Sequence, residues 1–357
     1  MIWQPLIFTF AAAAILSLIA TRLALAWLQR RAILDQPNDR SSHTLPIPRG
    51  GGIGVVAALL VVGGGLIFSQ IMGNGNPTQS DLARGLLGAL ALATCLGVIS
   101  WLDDLYTLSP APRFIAQIIA VALGLGLLPE EALVFQGLLP VWADQLLAGF
   151  LWLWFVNLTN FMDGIDGITA AETGSIGAGL ALAFGLSASA AVFPLALTGA
   201  ALAGVSLGFY VWNRPPARVF LGDVGAIPLG FVLGWVLLAS AAQGYWAVAL
   251  ILPLYYLADA TLTLIKRIWR REKVWQAHRS HFYQQAIRVL EGPAGTARTS
   301  AHRHIVGVIL VCNIVLISLA AVAILSPGQA FLLAVIAGVA VAALLWYLAT
   351  RKPEPAE

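Results

Sequence analysis

Residues 145–169 read QLLAGFLWLWFVNLTNFMDGIDGIT. The first half is apolar and aromatic without a charge, the composition of a helix that enters a bilayer, where about 20 such residues make a span. From Asn157 onward, hydrogen-bonding side chains recur every third residue, at Asn157, Asn160, Asp163 and Asp166. On a helix end that spacing places Asn157, Asn160 and Asp163 on one face, and the two Asp-Gly steps permit tight turns. A structural loop has no use for so many carboxylates at a membrane surface. The stretch therefore predicts a membrane helix that ends in a functional polar segment.

The rest of the chain is built in the same way. Its 357 residues are 59% hydrophobic and 10% charged, with a mean hydropathy of +0.84, whereas soluble domains carry about 25% charged residues. A water-soluble enzyme is excluded. Apolar runs at 3–28, 53–72, 82–102, 114–128, 145–161, 170–188, 191–212, 225–243, 245–265, 305–325 and 329–349 predict about eleven transmembrane helices. The expected fold is an all-α polytopic membrane protein, with residues 1–357 forming a single integral-membrane domain. The run at 114–128 has the length at which a buried or re-entrant segment competes with a span. No basic residue precedes the first run, which is also too long for a cleaved signal segment. Cys95 and Cys312 both lie inside apolar runs, which leaves no disulfide or cysteine–metal framework.

Alternating the spans sorts their connections into two sets. Segments near 29–52, 103–113, 157–169, 213–225 and 266–304, with the tail from 350, hold most of the basic residues, among them Arg30, Arg31, Arg49, Arg113, Arg214, Lys266, Arg267, Arg270 and Arg271. The opposite set holds Asp81, Glu130, Glu131 and Asp144, with Arg84 its one cation. The positive-inside rule puts the first set and the C-terminus in the cytoplasm and the N-terminus outside. Every segment with unusual polar chemistry falls on that one face, which predicts a single composite site.

The first segment closes with Pro46-Ile47-Pro48-Arg49-Gly50-Gly51-Gly52. Its glycines are expected to leave amides free to cradle an anion ahead of the next helix, and Arg49 to add a guanidinium fork. No strand–helix unit surrounds them, so they are not a dinucleotide fingerprint. Asp103 and Asp104 repel each other and lose hydration at a membrane edge, which calls for a cation or a basic partner. Their hard oxygens favour Mg2+, with Mn2+ as the alternative. Asp223 sits between glycines at the start of the eighth run, as a further metal ligand or a helix N-cap. His278 and His281 are spaced to share a helical face; with Arg279 they suit phosphate better than zinc, for which no third ligand is evident. The basic stretch from Lys266 to Lys273 suits lipid headgroups. Within the spans, Asp259 reads as a functional charge or as an ion pair with Lys266 or another nearby base.

Taken in order, four motifs resemble those of one family. They are Asp-Gln-Pro-Asn-Asp-Arg-Ser-Ser-His with Pro-Arg-Gly-Gly (35–51), Leu-Asp-Asp-Leu (102–105), Asn-x-x-Asn-x-x-Asp-Gly-x-Asp-Gly (157–167) and Phe-Leu-Gly-Asp-Val-Gly (220–225). Together they look like the polyprenyl-phosphate N-acetylhexosamine-1-phosphate transferases, glycosyltransferase family 4. The resemblance runs from 35 to about 285. Through His43 and Pro-Arg-Gly-Gly it is nearer the branch that initiates O-antigen and teichoic-acid units than the peptidoglycan branch. Two places depart from the family pattern. His278-Arg-Ser-His281-Phe-Tyr283 stands in place of a His-x-His-His-like cluster linked to sugar recognition, with His281 aligned to its first histidine. Thr107 stands where some members have a third Asp.

The resemblance implies a multi-pass enzyme of the bacterial inner (plasma) membrane with its active site facing the cytoplasm. Its reaction would transfer a UDP-activated N-acetylhexosamine 1-phosphate to undecaprenyl phosphate, giving a polyprenyl-diphosphate-sugar and UMP, with Mg2+ as cofactor. The implied partners are the polyprenyl phosphate lipid, the UDP-N-acetylhexosamine and membrane lipids, with no nucleic acid and a homodimer left open. Asp103, Asp104 and Asp223 would be catalytic, one of Asp103 and Asp104 taking a proton from the lipid phosphate. Asp104, Asp163 and Asp223 would be the metal ligands. Asn157, Asn160, Asp163 and Asp166 would position uridine diphosphate or the metal, and Arg49, Arg113, His278, Arg279 and His281 would hold phosphate or sugar. A phospho-N-acetylmuramoyl-pentapeptide-type transferase is the alternative. A lipid-linked sugar transporter is a weaker one, since transporters place charges at mid-depth between repeated broken helices.

Overall fold

The computed structural model describes residues 2–36, 46–72, 77–106, 109–129, 133–187, 189–273, 278–291 and 297–351. His43 and Thr107, singled out above, lie outside these residues. Each apolar run is helical. In chain order the helices are α1 (Trp3–Arg30), α2 (Gly52–Leu59), α3 (Gly65–Met72), α4 (Pro77–Tyr106), α5 (Pro110–Leu125), α6 (Val141–Phe161) and α7 (Ile168–Leu186). They continue with α8 (Phe193–Asn213), α9 (Asp223–Ala242), α10 (Trp246–Ile251), α11 (Leu254–Trp269), α12 (Phe282–Glu291), α13 (Arg298–Leu325) and α14 (Ala330–Ala349).

Among the described residues, seven helices are long and apolar enough to cross a membrane: α1, α4, α6, α8, α9, α13 and α14. The protein is a helical, multi-pass membrane protein, but its other apolar runs are interrupted or short. The run at 53–72 passes through a π-helical turn, Leu60–Gly64, where glycines loosen the ladder. The run at 245–265 is split between α10 and α11 at Leu252 and Pro253, the latter having no N–H to continue the helix. The run at 114–128 becomes the 16-residue α5, begun by Pro110. One departure from an all-α chain is a short antiparallel pair, β1 (Leu34–Asp35) with β2 (Ile47–Pro48), Leu34 opposite Pro48.

The centre of the bundle is α9, buried from Val224 to Ala241. Against it pack α4 and α6, while α1, α7 and α8 form a neighbouring layer to which α13 and then α14 are added. Two buried indoles tie α9 to its neighbours α6 and α5: Trp152 Nε1 donates to Phe231 O and Trp235 Nε1 to Gly124 O, each at 3.0 Å. A buried Trp needs such an acceptor. On the outside, Ile7, Phe8, Phe331, Val339 and Trp346 are exposed, as expected where lipid replaces water.

Close approach of α1 and α8 depends on Gly208. A Cβ there would lie 2.3 Å from Ala14 O on α1, so a side chain must push the helices apart; small residues in such seams are the usual means of membrane helix packing. Gly208→Leu is therefore expected to lower the melting temperature in detergent by roughly 5 °C or more. Gly338→Leu, where a Cβ meets nothing within 4 Å, is the control expected to leave it unchanged. Equal melting of both variants would contradict this packing.

Candidate functional site

Segments far apart in the chain are fastened together before any charged group is placed. Phe220 N donates to Pro48 O at 2.9 Å, and the amides of Gly51 and Gly52 donate to Phe220 O and Leu221 O at 2.8 and 2.9 Å. Gly50 N also donates to Phe220 O, at 3.2 Å. The glycine amides expected to cradle an anion are thus occupied by backbone carbonyls. The glycines serve close packing instead: a Cβ on Gly52 would sit 2.3 Å from Gly225 Cα.

This junction carries Arg49 to the start of α9. Arg49 Nη2 donates to Asp223 Oδ1 at 2.7 Å and lies 3.0 Å from Asp104 Oδ1. From the first turn of α5, Arg113 Nη1 reaches Asp223 Oδ2 at 3.2 Å and pairs closely with Asp103 Oδ2. Asn160 Nδ2 adds a longer contact to Asp223 Oδ2, 3.4 Å. Asp223 is the first residue of α9, where the helix dipole favours negative charge. Asp103 and Asp104 lie on the last turn of α4 rather than in a loop, and their side chains turn to different arginines.

The donor set suits a hard divalent cation in one respect. Asp104 Oδ2 is buried and lacks a hydrogen-bond partner, although Asp223 lies across Arg49 from it. Among the described residues no three His, Cys, Asp or Glu side chains are gathered as a ready-made metal cage, so the expected set of Asp104, Asp163 and Asp223 is not preassembled. Mg2+ usually takes one or two carboxylates, several waters and substrate phosphates. Asp104 and Asp223 fit that pattern.

A cavity of about 420 Å³ opens beside the cluster. Arg113, Asn160 and Asp223 line its polar part, while Leu96, Phe150 and Ile227 are among the apolar residues lining the rest. Asn157 also faces it, with Nδ2 on Gln117 Oε1 at 2.8 Å.

Asp163 does not share the helical face of Asn157 and Asn160, because α6 ends at Phe161. Its Oδ1 accepts from Thr169 Oγ1 at 2.6 Å, and Tyr256 OH lies 3.3 Å from that hydroxyl. Burial pushes the Asp163 carboxyl up to about 6; Thr169 and Arg49 oppose the shift and Asp223 adds to it. Asp166 faces another way. Its Oδ2 accepts from Ala217 N at 3.0 Å and lies 3.4 Å from His302 Nδ1. Burial raises its pKa, but His302 and the Ala217 amide outweigh this and hold it below the usual value.

The fifth segment also differs from its expected form. His278 and His281 precede α12 and share no helical face, though their rings lie 5.0 Å apart. Asp259 does not pair with Lys266. Its carboxylate accepts from Phe282 N at 3.0 Å and Tyr283 N at 3.3 Å, capping α12 from α11, and lies 3.2 Å from His281 Nδ1. Lys266 Nζ instead stands 4.0 Å from the centre of the Phe282 ring. Burial, then His281 and Arg267, push His278 down to about 4, so it is a neutral hydrogen-bonding group at physiological pH. The Arg279 carbonyl accepts from Arg288 Nη2 at 2.5 Å. Tyr283 brings the segment onto the third: a Cβ on Gly164 would lie 2.3 Å from Tyr283 OH.

Arg49, Asp103, Asp104, Arg113, Asn160 and Asp223 thus form one cluster. Asp163 adjoins it, Asn157 lines the groove, and Asp166, His278, Arg279 and His281 stand further back. Sequence reasoning missed Thr169, Gln117, Glu291 and His302. Only His302 carried a signal, as part of Ala301-His302-Arg303-His304 ahead of an apolar run.

Known proteins resemble part of this chain. The sequence model of glycosyl transferase family 4 matches residues 86–241, which include Asp103, Asp104, Arg113, Asn157–Asp166 and Asp223. A probable undecaprenyl-phosphate N-acetylglucosaminyl 1-phosphate transferase of Bacillus subtilis (strain 168) is 26% identical over 295 residues, 76% of each chain. The phospho-N-acetylmuramoyl-pentapeptide-transferase of Synechococcus sp. (strain RCC307) is 33% identical over 233 residues, 61% of this chain and 62% of the relative. That of Mycobacterium avium (strain 104) is 28% identical over 258 residues, 61% of this chain and 70% of the relative.

Asp163 generates a pH prediction. The folded chain holds its proton to about pH 6, against an ordinary value of 3.8. Its contribution to stability is therefore complete below 3.8 and lost as pH rises through 6. In chelator-treated protein, Asp163→Asn should melt higher than wild type above about pH 6, a gain of order 3 kcal/mol, and lose that gain below about pH 4. Melting curves across this range check it; a gain confined to the acid side would contradict the burial argument.

Proposed function

Because the chain belongs to the polyprenyl-phosphate N-acetylhexosamine-1-phosphate transferase superfamily, we propose that it transfers a UDP-activated N-acetylhexosamine 1-phosphate to undecaprenyl phosphate. The products are a polyprenyl-diphosphate-sugar and UMP, and the lipid product initiates a cell-surface glycan such as O-antigen. The observation that carries this reading is the convergence of Arg49 and Arg113 on Asp223 beside an apolar cavity. A membrane anion with a long hydrocarbon tail needs that pairing of cations with an apolar groove. On this reading the apolar runs supply about eleven membrane segments in the bacterial inner membrane, with the N-terminus outside and the basic segments around the site in the cytoplasm.

The lipid tail lies along the cavity, and Arg113 and Asn160 receive its phosphate. An oxygen of that phosphate forms a bond to the sugar-bearing phosphorus as the bond from that phosphorus to the UMP oxygen breaks. One pyrophosphate linkage replaces another, so no separate energy source enters. With Asp104 on the metal side, Asp103, paired with Arg113, would be the one of the two to accept a proton from the lipid phosphate. Arg49 neutralises the diphosphate, and Asp163 would help position the metal. Asp104 and Asp223 would hold Mg2+, or Mn2+ in its place, which supplies charge neutralisation to the diphosphate oxygens.

The second reading, a muramoyl-pentapeptide donor, draws on the 33% identity to the Synechococcus sp. enzyme. The longer alignment, to the Bacillus subtilis relative, and the Arg49 motif favour an N-acetylhexosamine. Asp103→Asn, Asp104→Asn and Asp223→Asn should each lower turnover by about 100-fold or more and still yield folded, membrane-inserted protein. Mass spectrometry of lipids formed from a panel of UDP-N-acetylhexosamines and UDP-N-acetylmuramoyl-pentapeptide tests the donor. A hexosamine-bearing lipid is expected. Product from the pentapeptide donor alone would overturn the assignment.

A further inference from the structure

His302 sits on the second turn of α13, fully buried. Its two ring nitrogens face two carboxylates from different parts of the chain. Nδ1 lies 3.4 Å from Asp166 Oδ2, and Nε2 lies 3.4 Å from Glu291 Oε1. Asp166 belongs to the turn that carries Asp163, and the same oxygen receives Ala217 N from the fourth segment. Glu291 is the last residue of α12, whose first residues are capped by Asp259 and whose Tyr283 abuts Gly164. The neighbouring Arg303 donates from Nη2 to Pro215 O at 3.2 Å. Two successive residues of α13 thus hold three segments of the site, although neither touches the cluster around Asp223.

We propose that His302 is a positioning residue, whose imidazole between Asp166 and Glu291 locks α12 to the turn carrying Asp163 and so sets the geometry in which the nucleotide-sugar is held. The proposal rests on the transferase reading for its substrate and on geometry for the lock. Two carboxylates from separate segments, Asp166 buried and Glu291 partly so, converge on one ring, and Arg298 and Arg279 are the other charges nearby. Losing the ring leaves Asp166 with the Ala217 amide and removes the group that joins it to Glu291, so the two segments are free to separate or admit water. The Asp223 cluster and the lipid cavity, which His302 does not reach, should be unaffected.

The test has two arms. In the first, the full-length His302→Leu variant is assayed for transfer from the best UDP-N-acetylhexosamine to undecaprenyl phosphate. KM for the nucleotide-sugar is expected to rise about tenfold, with kcat and the KM for lipid changed less than about threefold. His302→Gln, whose amide nitrogen falls near Nε2, should restore the Glu291 contact, and His302→Asn, near Nδ1, the Asp166 contact; each is expected to recover part of the loss. In the second arm, hydrogen–deuterium exchange of the same variants reads the lock without any substrate. Faster exchange over 282–291 in His302→Leu, reversed by His302→Gln, is the expected result, with α9 unchanged. Failure of the wild type to use any donor would sink the transferase reading and leave the exchange arm to decide the lock. Unaltered exchange over α12, or loss of kcat with KM unmoved, would overturn the proposal. Should His302→Leu fail to fold, the Gln and Asn variants decide it by the same two readouts.

Discussion

Asp223 accepts from two guanidinium groups at once, Arg49 at 2.7 Å and Arg113 at 3.2 Å. Each arginine in turn holds a further carboxylate, Asp104 or Asp103. These charges stand at the head of α9, the most enclosed helix in the bundle, so their arrangement is fixed by the core rather than by a mobile side chain. The interaction is mutual. Taking one partner away strands the mostly buried carboxylates, although the arginines are about a third exposed and solvent moderates the cost, and the partners come from four different parts of the chain besides α9. The first segment enters through Arg49, α5 through Arg113, α4 through both carboxylates and α6 through Asn160.

The fold around this cluster serves to bring helix ends together. Hydrogen bonds from the Gly50–Gly52 amides to Phe220 and Leu221 set Arg49 against the start of α9, and the short approach at Gly225 needs a glycine opposite. The same helix ends border an apolar cavity. In the proposed reaction, that combination answers a specific difficulty: two anionic substrates must meet at low dielectric, where their repulsion is strongest. Arginines already held in place stabilise the developing charge without reorganising. When a diphosphate takes over the arginines, the carboxylates they leave are those suited to a divalent cation.

Residues that break an apolar pattern were readable from the sequence, and the structure gathers Arg49, Asp103, Asp104, Arg113, Asn160 and Asp223 as the motifs suggested. What the pattern did not carry was the partner of each group. The glycine amides looked free because their acceptors, the carbonyls of Phe220 and Leu221, lie far along the chain. Asp259 invited a pairing with Lys266 on its own helix, but the unsatisfied N–H groups of α12 are stronger claimants for a buried carboxylate. Asp166 read like Asp163 from spacing alone, yet the end of α6 at Phe161 turns the two in different directions. His302 was one basic residue among several before an apolar run; only folding shows the carboxylate on either side of it. The number of long spans was similarly beyond reach, since the π-helical turn and the break at Pro253 depend on how each run packs.

The central claim is that the arginine–carboxylate cluster neutralises both substrates in one site, so that neither reacts without the other. UMP release by purified protein, measured with the UDP-sugar alone, with undecaprenyl phosphate added, and with lipid plus Mg2+, tests this directly. The account predicts release only when lipid and metal are both present. Release of UMP without the lipid, or at the same rate in Asp223→Asn, would contradict it.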